Sequence, residues 1–311
     1  MSKALSLKYR PRTLKTVIGQ PEAVAILSQK IARQSIPHVM ALTGPSGCGK
    51  TTIARILAKA LGCAKGDFVE YNSANFTGVA TARILIRAAN RRPLYGPCRV
   101  WVIDEAHQLS KDAQDALLKL FEDTPEYGYF FICTTEPRKL LKAIQTRVFH
   151  IPVKLVSAND LTSRLLYITG KENVEVSEDV LEKIVEHAEG SVRMAERLLE
   201  KVIDLDSVPQ QLKAIDHFSD TKREAVEVAR LLMGFRPKWS QVAKVLREMD
   251  EEQPETIRRV IIAYFRSVLL GGGKMSARAN AIIRIFQHPA ISMNCTPGAI
   301  ASAAYDACNL K

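Results

Sequence analysis

A glycine-rich segment carries the clearest chemical signal in the sequence. Residues 44–51 fit the pattern GxxxxGK[ST] without exception, between a short apolar run and a helical pattern. Glycines let backbone N–H groups converge on phosphate oxygens, and the N-terminus of the following helix adds its positive dipole end. The segment therefore predicts a nucleoside triphosphate site. The expected phosphate-binding residues are Gly44, Pro45, Ser46, Gly47, Cys48, Gly49, Lys50, Thr51 and Thr52.

Individual side chains of this site have distinct expected tasks. Lys50 would reach the β- and γ-phosphates, and the Thr51 hydroxyl would ligate Mg²⁺. Asp104 and Glu105 follow the apolar run 100–103, so Asp104 is a second expected magnesium ligand. Glu105 is expected to orient and activate the attacking water. The alternative, two acids that simply end a strand, is disfavoured by the glycine-rich segment.

A third run, 129–133, ends in Thr134 and Thr135, whose hydroxyls could bind the γ-phosphate or the attacking water. The glycine-rich segment, the Asp104–Glu105 pair and the Thr134–Thr135 pair each follow an apolar run. From about residue 36 to 151 such runs alternate with helical stretches. This alternation predicts a parallel sheet covered by helices. The expected strands are His38–Leu42, Asp67–Asn72, Arg99–Ile103, Tyr129–Thr134 and Val148–Ile151, with a helix over Gln20–Arg33 ahead of them.

Helical patterns take over after about residue 153. Ser177 is the expected N-cap of a helix that ends at Gly190, and Ser191 the N-cap of a second helix that ends near Val202. The stretch 204–220 predicts a linker with a short helix, and residues 222–311 predict helices broken near Pro237, Pro254, residues 271–273 and Pro289. The expected domains are 1–153, 154–205 and 222–311, with a linker over 206–221.

Composition narrows the classes of protein further. The 311 residues are 47% hydrophobic and 25% charged, which is typical of a globular protein rather than a disordered or disulfide-rich one. No apolar stretch approaches a membrane span, and the basic N-terminus lacks the apolar core of a secretory signal, so a cytoplasmic location without membrane contact is expected. The six cysteines include no CxxC pair, so no zinc is expected. A net charge of +11 suits a polyanionic partner.

The sequence resembles one family in several segments. These are Leu7–Thr13, Val17–Gln20, the glycine-rich segment, Asp104–Lys119 and Thr134–Leu140, in this order. Together they resemble AAA+ sliding-clamp loader ATPases, which include replication factor C small subunits, bacterial DNA polymerase III gamma/tau and phage counterparts. The resemblance covers about residues 4–200. It implies an α/β P-loop AAA+ domain, a small helical lid domain and an all-α C-terminal collar that holds subunits together.

The resemblance implies ATP and Mg²⁺ as cofactors and assigns further residues. Tyr9, Arg10, Pro11, Val17 and Ile18 would surround adenine and ribose. Thr135 would be the sensor 1 residue. Arg193 would be the sensor 2 arginine, a catalytic residue that also binds the γ-phosphate, with a helix-surface arginine as the alternative. Gln114 would couple DNA contact to Glu105. Arg147 would be an arginine finger acting on a neighbouring subunit, although the family's Ser-Arg-Cys signature is Thr146–Val148 here.

The resemblance also implies the partners. These are other clamp-loader subunits, with which the chain would form a homo- or hetero-oligomeric pentamer, a sliding clamp and primer–template DNA. No acidic residue occurs between Glu70 and Asp104, and the expected DNA contacts are Arg83, Arg87 and Arg91. Arg83 and Arg87 share a helix face, for which a solvated basic surface is the alternative. The four-cysteine zinc module of bacterial gamma/tau is missing from the sequence between the P-loop and Asp104. Two other functions stay open: another AAA+ DNA motor, such as a helicase loader or branch-migration ATPase, and a nucleotide-binding scaffold without turnover.

Overall fold

A computed structural model describes residues 4–73, 78–234, 237–249, 254–271, 275–292 and 295–310. The described residues form two compact units, 1–208 and 209–311. In the first unit, five strands form one parallel sheet in the order β2-β3-β4-β1-β5. The strands are β1 Val39–Thr43, β2 Phe68–Asn72, β3 Arg99–Asp104, β4 Gly128–Thr134 and β5 Phe149–Pro152. All five predicted strands are confirmed, each within one residue at either end.

Nine helices belong to the described part of the first unit. They are α1 Leu5–Lys8, α2 Pro21–Ala32, α3 Lys50–Ala60, α4 Val79–Ala89, α5 Lys111–Glu122, α6 Lys142–Arg147, α7 Ala158–Glu172, α8 Glu178–Ala188 and α9 Val192–Val202. Short 3-10 turns lie at Leu14–Thr16, Lys65–Asp67, Ala106–Gln108 and Pro137–Lys139. The helix predicted over Gln20–Arg33 is confirmed as α2, with those two residues as its caps.

Helices cover both faces of the sheet. Met40 and Leu42 of β1 point to one face, where they belong to a buried cluster with Leu57 of α3. Ala41 points to the other face, where its cluster includes Leu117 of α5. This double burial explains why β1, β3 and β4 are continuous apolar runs instead of alternating ones. Because all strands are parallel, their carboxyl ends, and the residues that follow them, lie at one edge of the sheet.

Helices α8 and α9 differ slightly from the predicted capping. Ser191 is the N-cap of α9 as predicted, since its hydroxyl accepts from the Met194 N–H at 3.3 Å. Ser177 is the N-cap residue of α8, but its side chain makes no capping hydrogen bond. Glu189, with φ of 48°, is the left-handed residue that ends α8, one position before the expected Gly190.

The second unit consists of helices among its described residues: α10 Val208–Met233, α11 Trp239–Glu248, α12 Pro254–Gly271, α13 Ser276–Phe286, α14 Pro289–Ser292 and α15 Pro297–Cys308. The prediction of a linker over 206–221 is wrong in its secondary structure, because α10 runs continuously through most of it. Pro209 does not interrupt this helix, since the N–H groups of a first turn have no intrahelical partner to lose.

Breaks at Pro237, Pro254 and Pro289 are confirmed, while residues 272 and 273 of the predicted glycine turn lie outside the described residues. The core of this unit includes Val228, Ile261, Phe265 and Phe286. None of the helices in the described ranges is long and apolar enough to cross a membrane. The three-domain division of the chain stays a prediction.

Candidate nucleotide-binding site

The glycine-rich segment connects β1 to α3 at the carboxyl edge of the sheet. Gly49, with φ of 108°, caps α3, which begins at Lys50. Gly47 has φ of 78°, and a Cβ on it would lie 2.1 Å from Ser191 Oγ, so no other residue fits there. The first N–H groups of α3 have no intrahelical acceptor. The segment therefore presents backbone donors and a helix N-terminus to the same small volume, as a phosphate site requires.

The Lys50 side chain is buried and turned back towards this segment. Its ammonium donates hydrogen bonds to the carbonyl oxygens of Gly44 at 2.8 Å and Pro45 at 2.7 Å. The positive charge thus lies against the loop that the sequence assigns to phosphate. Burial raises the pKa of the neighbouring Cys48 thiol, which keeps that side chain neutral.

The two predicted magnesium ligands are in direct contact. Thr51 Oγ1 donates a hydrogen bond to Asp104 Oδ2 at 2.9 Å, although the residues are 53 positions apart. The backbone N–H of Glu105 donates to the other carboxylate oxygen, Asp104 Oδ1, at 3.1 Å. A hydroxyl and a carboxylate are hard oxygen ligands, and Mg²⁺ is commonly held by few protein groups together with phosphates and water. The residues therefore fit Mg²⁺. No group of three or more His, Cys, Asp and Glu side chains in the described ranges could hold a metal ion.

Glu105 has a left-handed backbone, with φ of 52° and ψ of 40°, which is uncommon for a residue other than glycine. Thr135 Oγ1 donates to Glu105 Oε2 at 3.5 Å. His107 Nδ1 lies 3.4 Å from the same oxygen, and 3.2 Å from the hydroxyl of the buried Thr134. The Glu105 side chain keeps 34% of its surface exposed, so the carboxylate is accessible at the edge of the pocket. Backbone strain of this kind is common at catalytic residues.

The pocket extends from the P-loop to the N-terminal segment. Residues Ser46–Thr52 of the P-loop and of the first turn of α3 line it, together with Asp104 and Glu105. Four residues predicted to surround adenine and ribose also line it: Arg10, Pro11, Val17 and Ile18. Tyr9 is not among the lining residues, because its ring packs edge-on against Tyr167 with 6.3 Å between centroids. Burial, and next the charge of Arg55, lower the pKa of Arg10.

Arg193 lies on the opposite wall, in the first turn of α9. Its Cβ would be 3.3 Å from a Cβ added to Gly47, so this arginine is a direct neighbour of the P-loop. It lines the pocket together with Arg164 of α7 and Glu196 of α9, which sequence reasoning missed. Glu196 is three residues after Arg193 on the same helix. That spacing is the only sequence signal that could have placed Glu196 here.

Comparison with known proteins finds an ATPase domain and relatives of known name. Residues 40–156 match the family model described as "ATPase family associated with various cellular activities (AAA)". The chain is 33% identical over 232 residues to DNA polymerase III subunit gamma of Buchnera aphidicola, which covers 68% of this chain and 64% of that relative. Residues 40–156 are therefore an AAA domain. It is also 34% identical to DNA polymerase III subunit gamma/tau of Mycobacterium tuberculosis, over 64% of this chain and 39% of that relative.

The chain spans less than two thirds of the length of these relatives. Among solved structures, the Holliday junction branch migration motor RuvB of Thermotoga maritima is similar, with a TM-score of 0.60 and 19% identity. That similarity covers 84% of this chain and 91% of RuvB. At this level of identity the similarity concerns the AAA+ fold alone. The α/β P-loop AAA+ fold predicted from the sequence is confirmed.

Arg147 and Gln114 also lie outside the pocket. Arg147 is the last residue of α6, where its Nη2 lies 2.6 Å from Glu122 Oε1 and both side chains are 43% exposed. Gln114 is buried on α5, and its side chain donates to the Leu109 carbonyl at 3.1 Å and accepts from the Leu141 N–H at 2.8 Å. It therefore connects the turn after Glu105 to the start of α6.

The predicted DNA contacts are all exposed. Arg83 and Arg87 lie one helical turn apart on α4, and Arg91 follows the end of that helix. The next loop carries Leu94 and Tyr95, whose side chains are 75% and 73% exposed. The buried Asp67 carboxylate accepts hydrogen bonds from the N–H groups of Leu94, Tyr95 and Gly96 at 2.8, 2.8 and 3.0 Å. Burial acts to raise the pKa of Asp67, but these three hydrogen bonds outweigh it and hold the pKa below its ordinary value.

Proposed function

We propose that the chain is an ATPase subunit of a DNA sliding-clamp loader, which uses ATP binding and hydrolysis to open a ring-shaped clamp and load it on primer–template DNA. The observation that carries the proposal is the 33% identity over 232 residues to a protein named DNA polymerase III subunit gamma. The contacts of the candidate site agree with the roles that this function requires, since they bring together residues from five separate segments of the sequence.

In this proposal, ATP lies in the pocket with its phosphates on the P-loop. Lys50 leaves the carbonyls of Gly44 and Pro45 to reach the β- and γ-phosphates. Thr51 and Asp104 would hold Mg²⁺, and the ion would neutralise charge on the phosphate oxygens. Arg193 contacts the γ-phosphate from α9, so that ATP draws the helices after residue 153 towards the α/β part. Thr135 orients the attacking water with Glu105.

Glu105 is the general base of the proposed reaction. Its carboxylate would accept a proton from the water as the water oxygen bonds to the γ-phosphorus. The bond from the γ-phosphorus to the bridging oxygen breaks, and ADP and inorganic phosphate leave. Gln114 would transmit DNA contact towards this site through the Leu109 carbonyl, since Leu109 follows the turn that begins after Glu105. Arg147 would act on the site of a neighbouring subunit, which agrees with its exposed position outside the pocket of its own chain.

Exposed arginines of α4 are the proposed contact with DNA phosphates. Replacing Arg83 and Arg87 together by glutamine should weaken binding of primer–template DNA equally for all sequences, because phosphate contacts carry no base information. Each lost contact should reduce the slope of log K against log salt by about 0.9 on duplex DNA. Binding titrations at four salt concentrations measure this slope. Lys59→Gln with Lys65→Gln, an equal loss of two charges at exposed sites outside α4, is the control and should leave the slope unchanged.

Leu94 and Tyr95 are the proposed contact with the clamp. Two large apolar side chains exposed on a loop that is fixed by Asp67 are suited to a pocket on a partner surface. The clamp is the proposed occupant, because the loop directly follows the helix that carries the proposed DNA contacts.

ATPase assays test both contacts at once. Assembled with its partner subunits, the chain should hydrolyse ATP at least tenfold faster when DNA and clamp are both present. The variant Leu94→Ala with Tyr95→Ala should lose the stimulation by the clamp and keep that by DNA. Ile84→Ala removes another exposed apolar side chain, on α4, and serves as the matched control. Stimulation by DNA that ignores the clamp would instead favour another AAA+ DNA motor.

A further inference from the structure

A buried ion pair lies in the wall of the nucleotide pocket. Arg164 of α7 and Glu196 of α9 keep only 8% and 5% of their side-chain surface exposed. Arg164 donates to Glu196 Oε1 through Nε at 3.0 Å and through Nη2 at 2.9 Å. Removing two charges from water costs so much that a buried pair often stabilises a protein no better than apolar side chains would. A contribution to folding therefore does not by itself account for this pair.

The pair is connected to the N-terminal segment. Arg164 Nη2 also donates to the backbone carbonyl of Tyr9. One turn after Glu196 on α9, Glu200 Oε1 accepts from the Leu5 N–H at 3.2 Å. The residues that follow Tyr9 are Arg10 and Pro11, which line the pocket. The Arg164 guanidinium, which the buried Glu196 carboxylate fixes, thus sets the position of Tyr9 and of the two pocket-lining residues that follow it.

The charge of Glu196 has a second effect in the same place. Burial lowers the pKa of Arg10 most, and the positive charges of Arg55 and Arg193 lower it further. The carboxylates of Glu70 and Glu196 act in the opposite direction. Arg10 forms no ion pair among the described residues. Its guanidinium is therefore held near the P-loop without a carboxylate partner of its own, in a position to meet the negative charge of a nucleotide.

We propose that Arg164 and Glu196 are a positioning pair, which fixes residues 9–11 against the bound nucleotide. The pair governs the affinity for ATP and leaves the rate of hydrolysis of bound ATP unchanged. This inference rests on the proposed ATP site and concerns residues that act through Tyr9 and Arg10 rather than on the phosphates.

The test replaces both partners by apolar side chains, Arg164→Met with Glu196→Met, so that no unpaired charge stays buried. We expect the Kd for a fluorescent ATP analogue to rise about tenfold, which corresponds to about 1.4 kcal/mol. The stimulated kcat at saturating ATP should stay within twofold of that of the unchanged chain. Glu22→Gln is the control, because it breaks an exposed ion pair between α2 and Lys154 and should leave the Kd within twofold.

A second variant keeps the test decisive if the double variant does not fold. Arg164→Lys retains the charge but not the planar fork that reaches both Glu196 and Tyr9, so the Kd should rise about threefold. In hydrogen exchange, ATP should slow exchange in a peptide covering residues 5–16 of the unchanged chain, and less so in either variant.

The positioning role would be overturned by a folded variant that had the same Kd for the ATP analogue as the original chain, and in which ATP slowed hydrogen exchange of residues 5–16 to the same extent. A Lys50→Ala chain that still bound ATP tightly would instead refute the ATP site itself, so the two failures are distinguishable. A lower kcat with an unchanged Kd would also contradict the inference, because it would assign the pair to the chemical step.

Discussion

Replacing Glu105 by glutamine should lower the stimulated kcat for ATP hydrolysis by about a thousandfold and leave the Kd for ATP within twofold. A general base contributes on the order of 10² to 10⁴ to a rate, and glutamine keeps the shape of the side chain but cannot accept the proton. The hydrogen bond from Thr135 can still be accepted by the amide oxygen, so the geometry of the pocket is preserved. Phosphate release under single-turnover conditions separates hydrolysis from binding.

The neighbouring carboxylate provides the control for this variant. Glu136 Oε1 lies 3.7 Å from His107 Nε2, on the other side of the imidazole from Glu105. Glu136→Gln removes an equal charge nearby and should change the kcat by less than about threefold, because this carboxylate does not line the pocket. Full turnover by the Glu105→Gln protein would remove Glu105 from the mechanism.

Replacing Arg147 by alanine should abolish stimulated hydrolysis almost completely and leave ATP binding to the isolated chain intact. An arginine finger contributes on the order of 10³ to 10⁵ to hydrolysis, because its charge stabilises the γ-phosphate in the transition state. Arg147 does not line the pocket of its own chain, so the Kd for ATP should not depend on it. Glu122→Gln breaks the ion pair but keeps the guanidinium, and it should retain the stimulated rate.

Mixing the two inactive variants tests whether Arg147 acts on a neighbour. A Glu105→Gln subunit still supplies Arg147, and an Arg147→Ala subunit still has an intact Glu105. If the arginine acts between subunits, mixed assemblies contain some complete sites and regain a measurable fraction of the activity. If it acts within its own chain, every site in the mixture is defective and the activity stays absent.

The middle of the sheet could be predicted closely because β1, β3 and β4 are buried on both faces. Runs such as residues 100–103 are apolar throughout, and their ends coincide with residues of the site, as Asp104 illustrates. The P-loop could be predicted because its function needs glycine at fixed positions. A Cβ on Gly44 would lie 1.9 Å from the Val153 carbonyl oxygen, and Gly49 has a φ of 108°. Local sequence carried enough information in both cases.

Other features depend on contacts between distant residues, which a single sequence does not reveal. Arg164 and Glu196 are 32 positions apart. In the sequence each is indistinguishable from an ordinary exposed helix residue, and only the packing of α7 against α9 brings them together. Tyr9 was predicted beside the nucleotide, but its ring contacts Tyr167 and only its neighbours line the pocket. The helix α10 was missed because Pro209 suggested a break, whereas a proline in the first turn costs no hydrogen bond.

Loading of a clamp on DNA tests the proposed function most directly. The purified chain would be combined with its partner subunits, a labelled clamp and primed circular DNA, and closed complexes would be separated from free clamp by size. We predict that labelled clamp stays on the circular DNA only when ATP is present, and that the Lys50→Ala chain leaves none there. Turnover of ATP that depends on DNA but never leaves a clamp on the circle would contradict the proposed function.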